Sequence, residues 1–350
     1  MDHLWVEQET LAPKIGVVIP AYFSATPSDE MVRRLLWMTL SDGHHYSPPE
    51  NVWVVVDGDA RTARIVEEIR EQLTLRQGAA FNVLPLAENQ GKLGAIRRGI
   101  AALLAERPDI EYVIIRDGDG DHAAADIPAL ARAAGQLVAA YGHSRLIVIG
   151  ARNSRHRPMG WIRGELETLL DGVTVDALAY HLARQGRALN LSHCRGDAVP
   201  DLSSGYKVYG RQAAVELFVE HEPQLACLEP AHYWRYGPET VTVIEGLLKG
   251  AVIAELRRLT WDGQPATSFG EFRHVSLYGD LLAWVYTRLE IPIEVAARLY
   301  DNRVPSMPLR TTTEGRDLLD AVRRHALERT RDYRGEGGAI PPPPPTVPFL

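Results

Sequence analysis

The feature that most limits how this chain can fold is a regular alternation over its first 152 residues. Short, uninterrupted apolar runs are separated by longer segments of helical spacing. The runs are KIGVVIPAY (14–22), NVWVVVDGD (51–59), FNVLPL (81–86), YVIIRD (112–117) and RLIVIGAR (145–152). Between them stand DEMVRRLLWMTL (29–40), ARTARIVEEIREQLTLR (60–76), GKLGAIRRGIAALLAE (91–106) and DIPALARAAGQLVAAY (126–141). A strand that is apolar at every position must be covered on both faces, and parallel neighbours must be joined by a crossover, usually a helix. The pattern therefore predicts an α/β fold with a mostly parallel sheet flanked by helices. In such sheets ligands bind beyond the carboxyl ends of the strands. The polar clusters Pro20-Ala21-Tyr22, Asp57-Gly58-Asp59 and Asp117 to Asp121 fall there.

The second half is less regular. A long helix is expected over 161–186, and 201–218 reads as loop, short strand and helix. Residues 237–250 read as a helix, 251–261 as a strand, and 276–300 and 314–330 as helical. The five prolines from Pro341 favour polyproline II and an unpacked tail. The expected division is a main domain over 1–262, a helical extension over 263–335 and a proline-rich tail over 336–350.

Composition narrows the function. A formal net charge of −7 argues against a nucleic-acid backbone as partner. Cys194 and Cys227 lack metal-site spacing and are too few for a disulfide framework, which suits free thiols in a reducing compartment. The N-terminus has no signal-peptide pattern, and no apolar run is long enough to span a membrane, so the expected location is the cytoplasm. A homodimer is allowed.

The segment YVIIRDGDGDH (112–122) carries the chemistry. Three aspartates at alternate positions repel one another unless a cation holds them. An EF-hand loop would need Gly at its sixth position and Glu at its twelfth, where His122 and Pro128 stand. A solvated acidic turn is the bland alternative. A hard divalent cation, Mn²⁺ or Mg²⁺, bound by Asp117 and Asp119 and shared with substrate phosphates, is the chemical one.

At this point the chain resembles the family-two glycosyltransferases of GT-A (Rossmann-like) fold. It is most similar to the branch that contains dolichyl- and polyprenyl-phosphate sugar transferases. The stretches that carry the resemblance come in the family's order: VVIPAY (17–22), VVVDGD (54–59), NQGKLGAIRRGI (89–100), RDGDGDHAAADIPAL (116–130), GAR (150–152) and DLSSGYKVYGRQA (201–213). It covers about residues 14–262 and implies a metal-dependent, inverting transfer of a hexose from a nucleotide-diphosphate sugar such as a UDP- or GDP-sugar. By resemblance, Pro20, Ala21, Tyr22 and Asp57 serve the base and ribose, and Gly91 and Lys92 the diphosphate. Asp117, Gly118 and Asp119 form the Asp-x-Asp motif, with Asp121 a further metal-side ligand. Arg152, Ser204, Gly205 and Lys207 line the sugar and phosphate end. Asp201 and Glu239 are the candidate bases; His122 matches a family histidine that holds the metal loop or, alternatively, ligates the metal, and His232 and His274 are weighed as late metal ligands.

The chain also departs from the family. Val56-Asp57 replaces an Asp-Asp pair, Lys207 replaces an arginine, and the polyprenyl-phosphate ending is degraded to WDGQPATSFGEF (261–272). The acceptor is accordingly a lipid phosphate or a soluble small molecule. Two other functions compete: a nucleotidyltransferase, which would need a basic Gly-rich loop where Pro20 to Phe23 stand, and a non-catalytic nucleotide-sugar binding protein.

Overall fold

The computed structural model describes residues 6–78, 80–157, 160–194, 199–259 and 274–344. The apolar runs form strands β1 (Ile15–Ala21), β2 (Val52–Val56), β3 (Asn82–Pro85), β4 (Tyr112–Ile115) and β5 (Leu146–Ala151), followed by β6 (Lys207–Gly210) and β7 (Val252–Arg257). Every residue of β2, β4 and β5 is buried, as uninterrupted apolar runs require. The sheet order is β3-β2-β1-β4-β6-β5-β7. Among the described strands only β6 is antiparallel, pairing Lys207 with Ile115 of β4 and with Ile149 of β5. The mostly parallel α/β architecture expected from the sequence is what the chain adopts.

The helices are α1 (Gln8–Leu11), α2 (Asp29–Leu40), α3 (Ala60–Gln77), α4 (Gly91–Glu106), α5 (Ile127–Tyr141), α6 (Trp161–Arg184), α7 (Arg211–Ala214), α8 (Pro230–Leu248), α9 (His274–Arg288), α10 (Ile293–Arg303) and α11 (Thr313–Arg334). Side chains fix where the first of them start. Ser28 Oγ accepts the Met31 N–H at the head of α2, and Asp59 Oδ2 accepts the Thr62 N–H at the head of α3. Helix α4 lies especially close to the sheet. A Cβ at Gly99 would stand 2.6 Å from the side chains of both Val18 and Val55. That close approach fixes the start of α4, and with it Lys92, over the carboxyl ends of β1 and β2.

Two elements differ from the sequence reading. Helix α8 begins at Pro230 rather than at 237, with Pro238 inside it. The 276–300 region is two helices, broken at Ile291-Pro292, because proline at the start of α10 cannot donate to the end of α9.

The chain divides into two compact units. The first comprises Met1–Ser154, Asn190–Glu222 and Ala231–Gly270 and contains the whole sheet. The second comprises Arg155–Leu189, Pro223–Pro230 and Glu271–Leu350, and is built from α6, α9, α10 and α11. Within the second, Arg155 pairs with Asp171 at 2.9 Å and Arg303 with Asp176 at 2.6 Å. The tail is not free of this unit at its start: buried Arg323 donates to the carbonyls of Pro341 and Pro342 at 2.9 and 3.4 Å. Proline carbonyls keep their acceptor strength although the ring nitrogen has no N–H. The segment WDGQPATSFGEF and the last six residues lie outside the described residues.

Candidate active site

The acidic segment turns at the carboxyl end of β4. Its glycines permit the turn to press on neighbouring backbone: a Cβ at Gly118 would stand 3.0 Å from the Pro20 carbonyl. Lys92 faces it from the first turn of α4. Both Asp117 carboxylate oxygens lie 2.8 Å from Lys92 Nζ, Oδ2 as hydrogen-bond acceptor, and Glu239 Oε1 of α8 accepts from the same ammonium at 2.7 Å. Burial would lower the lysine, but the two carboxylates outweigh it and hold its pKa above the ordinary value. Burial would likewise raise Glu239, yet Lys92 and Lys207 hold that carboxyl below its usual value. Lysine and glutamate are thus both charged across the neutral range.

Helix α8 reaches this cluster through its proline. Pro238 has no N–H to offer the Trp234 carbonyl four residues back. Gly91 lies against that carbonyl, so a Cβ there would stand 2.8 Å from it, and its φ of +76° also favours glycine. Gly205 closes the other side. A Cβ on it would fall 2.9 Å from Asp117 Oδ2 and 3.2 Å from Lys92 Nζ.

Asp117 Oδ1 is held only by the Lys92 ion pair, and one oxygen each of Asp119 and Asp121 is buried with no hydrogen-bond partner. Burial, then the neighbouring aspartates, pushes the Asp119 and Asp121 carboxyls up, and the two share a hydrogen bond. Ligand atoms of Asp117, Asp121 and His122 lie within 4.8 Å of one another. Spacing alone puts Asp117 and Asp119 first; the geometry groups Asp117 with Asp121 and leaves Asp119 beside them. Orphaned, hard, anionic oxygens fit a divalent cation of the Mg²⁺ or Mn²⁺ type.

His122 serves this turn differently. Its Nδ1 accepts the Asp117 backbone N–H at 2.8 Å, which leaves the ring proton on Nε2, 3.4 Å from Asp121 Oδ1. Burial, then the charges of Arg258, Lys92, Arg116 and Lys207, drives its pKa well down, so the ring is neutral. It stacks on Tyr206 with centroids 4.6 Å apart. While those bonds stand, it has no lone pair for a cation and acts to hold the turn. Of the histidines weighed from sequence, it is the one among the described residues that lies with the aspartates.

The other expected residues take varied places. Tyr22 is half exposed at the end of β1, and Ala21 is buried. Asp57 is buried, and its Oδ1 accepts the Gln90 N–H at 2.7 Å, so it ties β2 to the head of α4. Asp201 is buried in a bidentate pair: Arg152 donates through Nε to Oδ2 at 2.9 Å and through Nη2 to Oδ1 at 2.5 Å. Both oxygens are committed, which makes Asp201 a poor base. Lys207 is buried and donates to the Ser204 carbonyl, so it is not displayed at the surface. Ser204 Oγ donates to the Gly150 carbonyl at 2.7 Å.

Three residues were missed. Arg116 is fully buried and donates through Nε and Nη2 to the His122 carbonyl at 2.9 and 2.6 Å. Tyr206 donates to the Ala123 carbonyl at 2.8 Å. Arg258, just past β7, donates to Ser204 Oγ and to the Gly150 carbonyl. The signal in sequence was an arginine directly after an apolar run, in YVIIR and again in IAELRR.

The profile of glycosyl transferase family 2 matches residues 16–218, from β1 to the π-helical turn after β6. The chain belongs to that family. Family membership brings glycosyltransferase activity in general, with a nucleotide-sugar donor and an acceptor. No curated protein matches the chain significantly. Among the described residues no helix is long and apolar enough to cross a membrane.

Proposed function

We propose that the protein is a metal-dependent, inverting glycosyltransferase that uses Mn²⁺ or Mg²⁺ with a UDP- or GDP-linked hexose. The carrying observation is the crowding of three carboxylates, Asp117, Asp119 and Asp121, with Lys92 neutralising only Asp117 of the three and with buried oxygens of Asp119 and Asp121 that accept no hydrogen bond. These carboxylates would hold the cation, which when bound neutralises charge on the departing diphosphate. Lys92 supplies a second positive charge at the same end, and Gly205, where a Cβ would stand 3.2 Å from Nζ, leaves it room. The acceptor oxygen attacks the anomeric carbon from the face opposite the diphosphate. The new C–O bond forms as the old one breaks, and the bonding pair leaves with the diphosphate.

Glu239 takes the proton of a hydroxyl acceptor, since Asp201 is committed to Arg152. The lowered pKa of Glu239 makes it a weak base while Lys92 is bound to it. A phosphate acceptor, already ionised, needs no such base, and this favours a phosphate-bearing acceptor, lipid or soluble. The test is thermal stability with UDP-, GDP- and dTDP-sugars, each with and without Mn²⁺. Stabilisation by one nucleotide only when Mn²⁺ is present is expected. No shift with any of them at millimolar ligand would refute the proposal.

A further inference from the structure

Arg258 lies 40 residues beyond the last residue matched by the family profile, Phe218, yet it touches the heart of the site. It is buried, and its guanidinium joins three separate segments. Nε donates to the Gly150 carbonyl at the end of β5 at 3.0 Å. Nη2 donates to Ser204 Oγ, in the loop before β6, at 2.9 Å. Nη1 points at the Asp121 carbonyl at 3.5 Å, and the guanidinium lies 5.4 Å from the centroid of the Tyr206 ring on which His122 stacks. A planar fork with five N–H groups makes such a junction; an ammonium cannot.

We infer that Arg258 is a positioning residue: it sets the carbonyl of Asp121, and through Tyr206 and His122 the orientation of the aspartate turn, for the cation named above. The inference rests on the metal reading of the proposed function. Residues that orient metal ligands through a second layer of hydrogen bonds typically change metal affinity 10- to 100-fold when replaced.

Charge and geometry predict opposite results here, which makes the role testable. A positive charge beside three aspartates repels a cation, so a residue acting only through charge would tighten metal binding when neutralised. The experiment is a titration of the full chain with Mn²⁺, following free Mn²⁺ by electron paramagnetic resonance, for wild type, Arg258→Lys and Arg258→Met. Weaker binding by about tenfold or more in both variants is expected, with the melting temperature of Arg258→Lys near that of wild type. Unchanged affinity in Arg258→Lys, or tighter binding in Arg258→Met, overturns the inference. If either variant fails to fold, Ser204→Ala removes one anchor of the fork; Mn²⁺ affinity equal to wild type then overturns it as well. A wild-type protein that binds no Mn²⁺ refutes the metal reading and this role together, whereas wild-type binding with unaltered variants refutes the role alone.

Discussion

Lys92→Met removes the ammonium that bridges Asp117 and Glu239 while keeping a side chain of similar length. Taking one partner from a fully buried ion pair costs about 3–5 kcal/mol. Here the three side chains keep 21–27% of their accessible surface, so water recovers part of the loss. A cost of about 2 kcal/mol in EDTA results, or roughly 4–8 °C in melting temperature for a unit of this size. Mn²⁺ then enters a cluster that has lost its competing cation, so the variant gains more stability from Mn²⁺ than wild type does. Glu239 is held low in the folded protein, so its part of this stability is present above 4.5 and is lost as pH falls through the folded value. Lys92 is held high, so its part is present at every pH below 10.5. The gap between wild type and Lys92→Met is therefore constant from pH 9 to 6 and narrows below pH 4.5. Thermal melts across pH, in EDTA and in Mn²⁺, measure all of this. A variant as stable as wild type in EDTA at pH 7, with no larger gain from Mn²⁺, would refute the account of Lys92 as the resident counter-charge.

Glu239→Gln should lower turnover of a hydroxyl acceptor by about 10²–10⁴ while the donor-dependent thermal shift persists; turnover at the wild-type rate would remove Glu239 as the base. Asp57→Ala leaves the Gln90 N–H without its acceptor and should cost about 1–3 kcal/mol, read from urea midpoints. Asp57→Asn keeps an acceptor oxygen, and because burial already pushes the Asp57 carboxyl up, it should cost far less. Gly205→Ala drives a methyl between Asp117 and Lys92 and should cost about 1–3 kcal/mol, with a smaller donor-dependent shift; calorimetry showing an unchanged protein would mean that the cluster yields freely.

How much could be read from the sequence depended on whether the signal was local. Strand and helix positions were legible because burial on both faces writes itself into consecutive residues: α2 runs over the residues its spacing predicts, Asp29–Leu40. The aspartate turn was legible because three like charges so close together demand a cause. The reversed direction of β6 was not, since apolar alternation is the same whichever way a strand runs. Nor was the start of α8, where Gly237-Pro238 resembles a boundary and yet lies inside the helix. Asp57 and Asp201 read as ligand-facing carboxylates; their oxygens meet Gln90 and Arg152, residues 33 and 49 positions distant. For Arg258 the sequence offers only its place after the apolar run of β7; its partners, at 121, 150 and 204, are not legible for the same reason.

The one antiparallel strand has a consequence for altering this protein. Strands β1 to β4 meet the ligand rim with their last residues, and the chain then runs into helices α2 to α5 of the same unit. β6 meets that rim with its first residue, Lys207, so the segment leading into it carries Asp201 and Ser204 to the rim, where Arg152 and Arg258 pin them. The antiparallel strand thus makes this stretch part of the frame of the site, and exchanging residues 201–205 would loosen the rim while leaving the six parallel strands in register.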